Sequence, residues 1–290
     1  MKKEYEEYSG NAVVLMLCSS CNIKKCKHCY ISYSGNFLLN EAIQLAKELN
    51  KKYTVLLNGA EVLCNPDYLK VYKEVGQNWI LTNGYLIYNN IDILDKLKEN
   101  GINTIEMSYH FDIQEQISIM KKEQLDFVIK QLKKYGFKIK LLTTITSYNY
   151  KNIEKFCEHC LRLGVDAIQF TNFISSGNAS NMEKNNILTR EQLNIFFEKL
   201  HNIRSKTNKK DLIIERSGTF GNDLNHHSNF YCPAGKDIVT ITPNLKVYPC
   251  FFLAKDGYEI GYCKDGKIYV EKNIEYDSKK CLTLSKFNKL

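Results

Sequence analysis

The sequence predicts an α/β fold built on a parallel sheet, and three observations predict it. Six short apolar runs alternate with six segments whose apolar residues recur at helical spacing; short connections join them; and three of the helical segments stop at a glycine, Gly101, Gly136 and Gly164, just before the next strand. The first strand is expected at 12–17 (AVVLML), an unbroken apolar run of the kind buried on both faces. Further strands are expected at 53–58, 79–83, 103–109, 138–146 and 165–171, with helices near 40–51, 67–75, 91–99, 121–135, 151–163 and 189–206. Repeated β-then-α units imply parallel strands covered by helices. Six units are fewer than the eight of a closed (β/α) barrel, so an incomplete barrel and a doubly wound sheet both stay open.

Beyond about residue 210 the character changes. Asp211 to Arg216 is strand-like, 217–229 is rich in Gly, Asn, His and Ser, and 236–252 reads as two strands joined at Pro243-Asn244-Leu245-Lys246. The chain therefore divides into 1–210 and a smaller unit, 211–290, with little core of its own, the kind a metal site holds together.

The 290 residues carry 40 Lys+Arg against 32 Asp+Glu, a net charge of +8. The arginines are only Arg162, Arg190, Arg204 and Arg216, and the lysines scatter over expected helix surfaces, so the charge belongs to solvated surface. No basic stripe interleaved with aromatics argues for nucleic acid. No apolar run approaches the roughly 18–20 residues of a membrane span. Met1 to Gly10 (MKKEYEEYSG) does not read as a secretory signal, and Ala12 to Leu17 is too short for the apolar core of one. The chain is expected to be cytoplasmic, where disulfides are rare and clustered cysteines bind metal or do redox work. Its eleven cysteines, an odd number, also argue against a fully paired disulfide framework.

Cys18, Cys21, Cys26 and Cys29 fall within LCSSCNIKKCKHCY, directly after the first strand. Parallel α/β sheets build their sites at the carboxyl ends of their strands, so this loop lies on the functional face. Thiolates this close suit tetrahedral zinc or an iron–sulfur cluster, and two CxxC knuckles would serve zinc. The words around the cysteines point further. Cys21-Asn22-Ile23-Lys24-Lys25-Cys26-Lys27-His28-Cys29-Tyr30 resembles the CNLxCxxCY loop of the radical S-adenosylmethionine (radical SAM) enzymes, with one residue inserted to give CxxxxCxxC. The resemblance implies an incomplete (β/α)6 barrel in which Cys21, Cys26 and Cys29 ligate a [4Fe–4S] cluster whose fourth iron binds SAM. Cys18 in place of Cys21 stays an alternative; a buried inert thiol is its simpler role.

Further landmarks follow in order. Asn58-Gly59-Ala60-Glu61-Val62 resembles the GGEP segment that meets the SAM amino group, with Gly59 permitting close backbone approach. Leu81-Thr82-Asn83-Gly84 resembles the TNG segment near the ribose, although Asn-Gly is also a good turn. Ser108 matches the serine of SxDG, with His110 where that segment has Asp; Thr144, Asn149 and Gln169 fall where related enzymes contact ribose or adenine. Ile174 to Ala179 resembles the PxGxA turn. The resemblance thus implies SAM contacts at Gly59, Ala60, Glu61, Thr82, Asn83, Ser108, Thr144 and Gln169.

Cys232-Pro233-Ala234-Gly235 followed by Ile241 to Cys250 looks like the opening of the SPASM/twitch extension, in which a hairpin brings two cysteines together at its open end. Only four cysteines follow residue 230, which suits the shorter twitch form. The resemblance implies one auxiliary [4Fe–4S] cluster on Cys232, Cys250, Cys263 and Cys281; a zinc ribbon on the same thiolates, or ligation by the first pair alone, are the alternatives. Cys64, Cys157 and Cys160 are expected to be ordinary thiols, and His226-His227 a solvated loop.

What the resemblance implies is reductive cleavage of SAM to a 5′-deoxyadenosyl radical, which abstracts hydrogen from a substrate. That substrate is expected to be a ribosomally made peptide or protein that is crosslinked, made into a thioether or epimerised. A small-molecule dehydrogenase is the runner-up, and a zinc-holding interaction or nucleic-acid-binding protein the alternative to any enzyme. An electron donor such as flavodoxin or ferredoxin is implied. With the first strand near residue 12, no room is expected for an N-terminal leader-recognition domain.

Overall fold

The computed structural model describes residues 4–23, 26–182, 184–220, 231–272 and 278–288. Strand β1 (Tyr5–Glu7) precedes β2 (Ala12–Met16). Then follow α1 (Leu39–Asn50), β3 (Thr54–Asn58), α2 (Leu69–Val75), β4 (Trp79–Thr82), α3 (Tyr85–Asn89), α4 (Ile93–Glu99) and β5 (Thr104–Ser108). Next come α5 (Gln114–Ile117), α6 (Lys122–Lys134), β6 (Lys138–Ile145), α7 (Ile153–Leu163), β7 (Ala167–Asn172), α8 (Arg190–Lys206) and β8 (Ile213–Arg216). The remainder forms β9 (Ile238–Ile241), β10 (Lys246–Tyr248), β11 (Gly261–Lys264), β12 (Lys267–Glu271) and α9 (Leu282–Phe287). All six expected strands of the first part form, each within two residues of its expected bounds.

The helices form for the reasons the sequence suggests. Helix α8 opens with a capping box, Thr189 Oγ1 accepting from Gln192 N–H while the Gln192 side chain accepts from Thr189 N–H, and buries Leu193, Phe196, Leu200 and Ile203 along one stripe. Helix α7 stops at Gly164 in the left-handed conformation.

Strands β4 to β8 form one parallel sheet in sequence order, and β2 pairs in parallel with β3. The helix-covered face is the core: Ile105, Met107, Ile139, Leu141, Ile168 and Phe170 are fully buried, and Phe170 packs edge-on against Phe156 of α7 and Phe196 of α8. The alternate positions on these strands, among them Glu106, Ser108, Lys140, Thr144 and Gln169, are half-buried on the other face. There Lys140 reaches Glu215 at 2.9 Å and Glu106 at 3.7 Å.

Among the described residues no ladder joins β3 to β4. The buried Gln77 side chain bridges that seam instead: its oxygen accepts from Leu57 N–H at 2.7 Å, and its nitrogen donates to Leu57 and Trp79 carbonyls, both at 3.1 Å. One amide thus satisfies strand-edge groups that a ladder would otherwise pair.

Two pairings cut across the division expected at residue 210. Strand β8 lies beyond that boundary yet pairs in parallel with β7, so the parallel sheet runs on to Arg216. Strand β9 pairs in parallel with β2, and β10, β11, β12 and β1 continue antiparallel from it. The C-terminal segment is therefore a four-stranded meander that extends the first strand's own sheet, more than the expected hairpin. Leu245 takes the left-handed backbone (φ 60°) that the β9–β10 turn requires, where glycine is usual. The expected loop His226-His227 lies outside the described residues.

Candidate functional site

The loop after β2 is anchored at its root before it reaches the cysteines. Asn36 Oδ1 accepts from Ser19 and Ser20 N–H at 3.1 and 3.2 Å, Tyr33 OH donates to Cys18 C=O at 2.8 Å, and Ala60 N–H donates to the same carbonyl at 2.8 Å. Glu61 N–H donates to Ser20 C=O at 3.0 Å. The ends of β2 and β3 are thus sewn together by backbone groups. A Cβ on Gly59 would sit 2.9 Å from Cys18 Sγ and 3.0 Å from Val62 Cγ1, so glycine here makes room for a packed thiol.

Cys18 is 1 % exposed, its thiol is pushed up to about 11 chiefly by burial, and the charges it faces are Glu61 and Cys64. Cys21, Cys26 and Cys29 are half-buried. Burial first, then Cys29 and Cys21, push the Cys26 thiol up to about 11, and Cys29 is raised by burial and by Cys21. Cys18 is thus a packed core thiol, while Cys21, Cys26 and Cys29 are the half-buried thiols of the loop. Among the described residues no three His, Cys, Asp or Glu side chains converge as the ligands of a single metal ion. The inserted residue falls at Lys24 and Lys25, which are outside the described residues.

The turn after β7 clamps the other side of this loop. Asn178 N–H donates to Cys29 C=O at 2.8 Å and Asn178 Nδ2 to Cys26 C=O at 3.2 Å. Beside them Lys27 N–H donates to Ile117 C=O at 2.9 Å, while His28 Nδ1 meets the same carbonyl at 3.3 Å.

Glu61 is 1 % exposed. Its carboxylate accepts from Thr82 Oγ1 at 3.0 Å, Asn83 N–H at 2.8 Å and Leu63 N–H at 3.3 Å, and among the described residues it has no cationic partner. Burial raises its pKa to about 7 against those three donors. The consequence is measurable. Below pH 4.5 the acid is protonated folded or unfolded, and as pH rises toward 7 only the unfolded chain ionises, so stability is lost across that window. About 3 kcal/mol more stability is expected to be lost than in Glu61→Gln, since each tenfold difference in acidity between the folded and unfolded chain is worth ~1.4 kcal/mol. Urea unfolding of both proteins at pH values spanning the window checks this; parallel curves would refute it.

The other expected SAM contacts divide. Asn83 lies beside a loop thiol: its Nδ2 donates to Asn22 Oδ1 at 2.9 Å and lies 3.7 Å from Cys21 Sγ, while Ala60 is half-buried with its N–H on the Cys18 carbonyl. Thr82 is buried and its hydroxyl is committed to Glu61. Ser108, Thr144 and Gln169 are half-buried at or near strand ends on the open face. Asn149 does not present its amide to a ligand, because that amide closes its own loop through Thr146 N–H and the Thr144 and His110 carbonyls.

Two histidines are part of the site that sequence reasoning missed as a pair. His110 is buried, its Nδ1 accepts from Thr144 N–H at 3.1 Å, and its Nε2 has no partner. His28 packs edge-on against it, ring centroids 4.4 Å apart. Burial holds both rings below their usual range, His28 at about 4, so both are neutral at pH 7. The only signal in the sequence was His110 standing where the resembled segment has Asp. Beside Cys26 a cleft of about 640 Å³ opens at the carboxyl ends of β5 to β7, lined by Lys27, Gln116, Tyr148, Asn178 and Asn186 among others.

The second cysteine group forms on the far side of an aromatic layer. Tyr30 packs against Phe251 and Phe252, centroids 5.6 and 4.6 Å away, and the turn after β7 holds this layer through Ser176 Oγ and Phe252 C=O at 3.3 Å. Cys232, Cys250 and Leu282 pack in one apolar cluster, and Cys281 caps α9. Thr283 Oγ1 lies 3.7 Å from Cys250 Sγ, and Cys232 N–H donates to Ser278 C=O at 2.8 Å. The Cys250 thiol is pushed up to about 11 by burial first, with Cys281 and Cys232 adding to it. Cys263 is elsewhere: it is 4 % exposed, inside the main core with Val247 and Ile268. Cys157 and Cys160 are buried in α7, and Cys64 is exposed.

Parallel βα units, a cysteine-bearing loop at the end of the first and a meander carrying further cysteines make a fold that this chain shares with solved structures. No protein-family model matches the chain, and no curated protein sequence does. Solved structures do. SuiB of Streptococcus suis superimposes with a TM-score of 0.70 at 15 % identity, covering 86 % of this chain and 62 % of SuiB, so this chain spans less than two thirds of that protein. SuiB has also been solved bound to S-adenosylmethionine and to its precursor peptide SuiA. The protein anSMEcpe with bound AdoMet gives 0.65 at 16 % identity, covering 88 % of this chain and 78 % of that one. HemN of Escherichia coli, a coproporphyrinogen III oxidase described as a radical SAM enzyme, gives 0.50 at 14 % identity, covering 69 % and 53 %. No described helix is long and apolar enough to cross a membrane.

Proposed function

We propose that this protein is a radical SAM enzyme acting on a ribosomally made peptide, with Cys21, Cys26 and Cys29 holding the [4Fe–4S] cluster that binds SAM. The observation that carries the reading is the pairing of three half-buried cysteines in the loop after β2 with a buried carboxyl, Glu61, at the end of β3, hydrogen-bonded but without a cationic partner among the described residues. An isolated buried acid is costly unless something cationic meets it, and the SAM ammonium is such a group. The bound cluster and SAM supply reductive cleavage of SAM to methionine and a 5′-deoxyadenosyl radical, which removes a hydrogen atom from the substrate.

The chain's own part is placement. Thr82 and the Asn83 N–H orient Glu61, Asn83 Nδ2 and Asn22 close the approach beside Cys21, and Asn178 fixes the Cys26 and Cys29 carbonyls. The cleft beside Cys26 has room for substrate, and its amide side chains suit a peptide backbone. Peptides bound in structures of SuiB and anSMEcpe support that choice of substrate. A flavodoxin or ferredoxin is the expected electron donor.

Anaerobically purified protein is expected to be coloured, to contain iron and sulfide, and to form 5′-deoxyadenosine from SAM with dithionite, faster when its peptide is present. A colourless protein holding only zinc would overturn the reading; SAM cleavage with no response to peptides would overturn the substrate class alone.

A further inference from the structure

The meander separates Cys263 from the other three C-terminal cysteines by both position and face. In the β10–β11 ladder Lys246 is opposite Tyr262 and Val247 opposite Gly261, which places Cys263 opposite Leu245, at the closed end of the β9–β10 hairpin; Cys263 N–H donates to Leu245 C=O at 2.8 Å. Cys250 lies five residues along from Leu245, at the hairpin's open end, about 15 Å away at the rise of an extended chain. The faces differ as well. Cys263 shares the parity of Gly261 and Val247 and is packed in the main core, whereas Cys250 follows the parity of Tyr248, which packs with Ala254 and Phe251 on the opposite face.

Thiolates of one metal centre lie a few ångströms apart, since each is ~2.3 Å from its metal. Cys263 and Cys250 therefore cannot share one. Cys232 and Cys250 pack with Leu282, Thr283 Oγ1 lies 3.7 Å from Cys250 Sγ, and Cys281 directly precedes these two residues at the start of α9, where its charge and that of Cys232 act on Cys250. Every other cysteine of the chain precedes residue 161 and is placed on the barrel side.

We infer that the auxiliary centre is held by three cysteines of residues 1–290, Cys232, Cys250 and Cys281, without Cys263, and that one of its irons is left to a donor other than a cysteine of these residues. This rests on the radical SAM reading for the identity of the centre. Three-thiolate ligation makes the centre site-differentiated, with one position that exchanges with a soft exogenous donor, where four thiolates would close it.

The test uses the full chain carrying Cys21→Ala, Cys26→Ala and Cys29→Ala, so that only the auxiliary centre contributes iron. Adding Cys263→Ala is expected to leave iron and sulfide unchanged, and adding Cys281→Ala to remove about four irons per chain. Mild oxidation of the parent is expected to release the iron without a cysteine and give the electron paramagnetic resonance signal of a three-iron cluster, and 2-mercaptoethanol to shift the spectrum of the reduced centre. Loss of the auxiliary iron with Cys263→Ala would overturn the inference, provided Cys263→Ser, a second packing of the same site, loses it too and circular dichroism shows both variants folded. A parent variant without iron, when the native protein cleaves SAM, would also overturn it and leave the proposed function standing; a native protein without iron or SAM cleavage would remove both.

Discussion

Replacing Cys21, Cys26 and Cys29 together by alanine is expected to abolish formation of 5′-deoxyadenosine while the iron of the second centre persists. The three cysteines follow the first strand of the parallel βα units, and two parts of the fold hold their loop: Asn83 lies beside the Cys21 thiol, and Asn178 holds the Cys26 and Cys29 carbonyls. Burial keeps Cys26 and Cys29 protonated without metal, so loading must release protons and is expected to quicken as pH rises toward their range. Cys18→Ala is the informative companion. Its thiol is buried in the core over Gly59, so the variant is expected to lose about 1 kcal/mol of stability and keep SAM cleavage. Liquid chromatography of dithionite-driven reactions reads both. Cleavage persisting in the triple variant, or vanishing with Cys18→Ala alone, would refute the ligand set.

The strands of the parallel sheet were legible because their signal is local: apolar runs such as Ala12 to Met16 cut by glycine stops at Gly101, Gly136 and Gly164. What escaped is non-local. Nothing within 236–252 says that β9 will pair with β2, more than 220 residues earlier, and a short polar strand such as β1 (YEE) has no apolar pattern to announce it. The same division holds at the site. The loop cysteines and Glu61 were visible as motif words, but which thiols face one another depends on register. Cys263 looked equivalent to Cys281 by count alone, and only the β10–β11 ladder sends it to the closed end of the hairpin. Gly59 has a neighbour the motif did not announce: an added Cβ would lie 2.9 Å from Cys18 Sγ, a contact between two strand ends that spacing does not reveal. His28 and His110 lie far apart in sequence and meet only because Lys27 hydrogen-bonds to Ile117 beyond β5.

A substitution that disrupts the site without touching a cysteine is expected at Gly177. It belongs to the turn that touches both cysteine groups, between Ser176, which reaches Phe252, and Asn178, which holds Cys26 and Cys29. Its φ is +61°, and an added Cβ would lie 2.5 Å from Cys29 O, 2.7 Å from Tyr30 C and 2.9 Å from Tyr30 Cα. All three neighbours are backbone, so nothing can swing aside as a side chain would; either the turn or the cysteine loop must move. Backbone strain of roughly 1–3 kcal/mol and overpacking of roughly 1–3 kcal/mol make a total loss of about 2–6 kcal/mol. Gly76→Ala separates the two contributions, because Gly76 has a similar φ of +72° with nothing within 4 Å of the new Cβ. If Gly177 matters only as a flexible turn, both variants lose the same stability and keep the same rate of SAM cleavage. If it spaces the turn from the cysteine loop, Gly177→Ala alone cuts that rate by about 100-fold, the size expected for a reacting group displaced by an ångström. Iron content measured beside the rate tells a displaced centre from a lost one, and wild-type cleavage in Gly177→Ala would show that the loop does not depend on this contact.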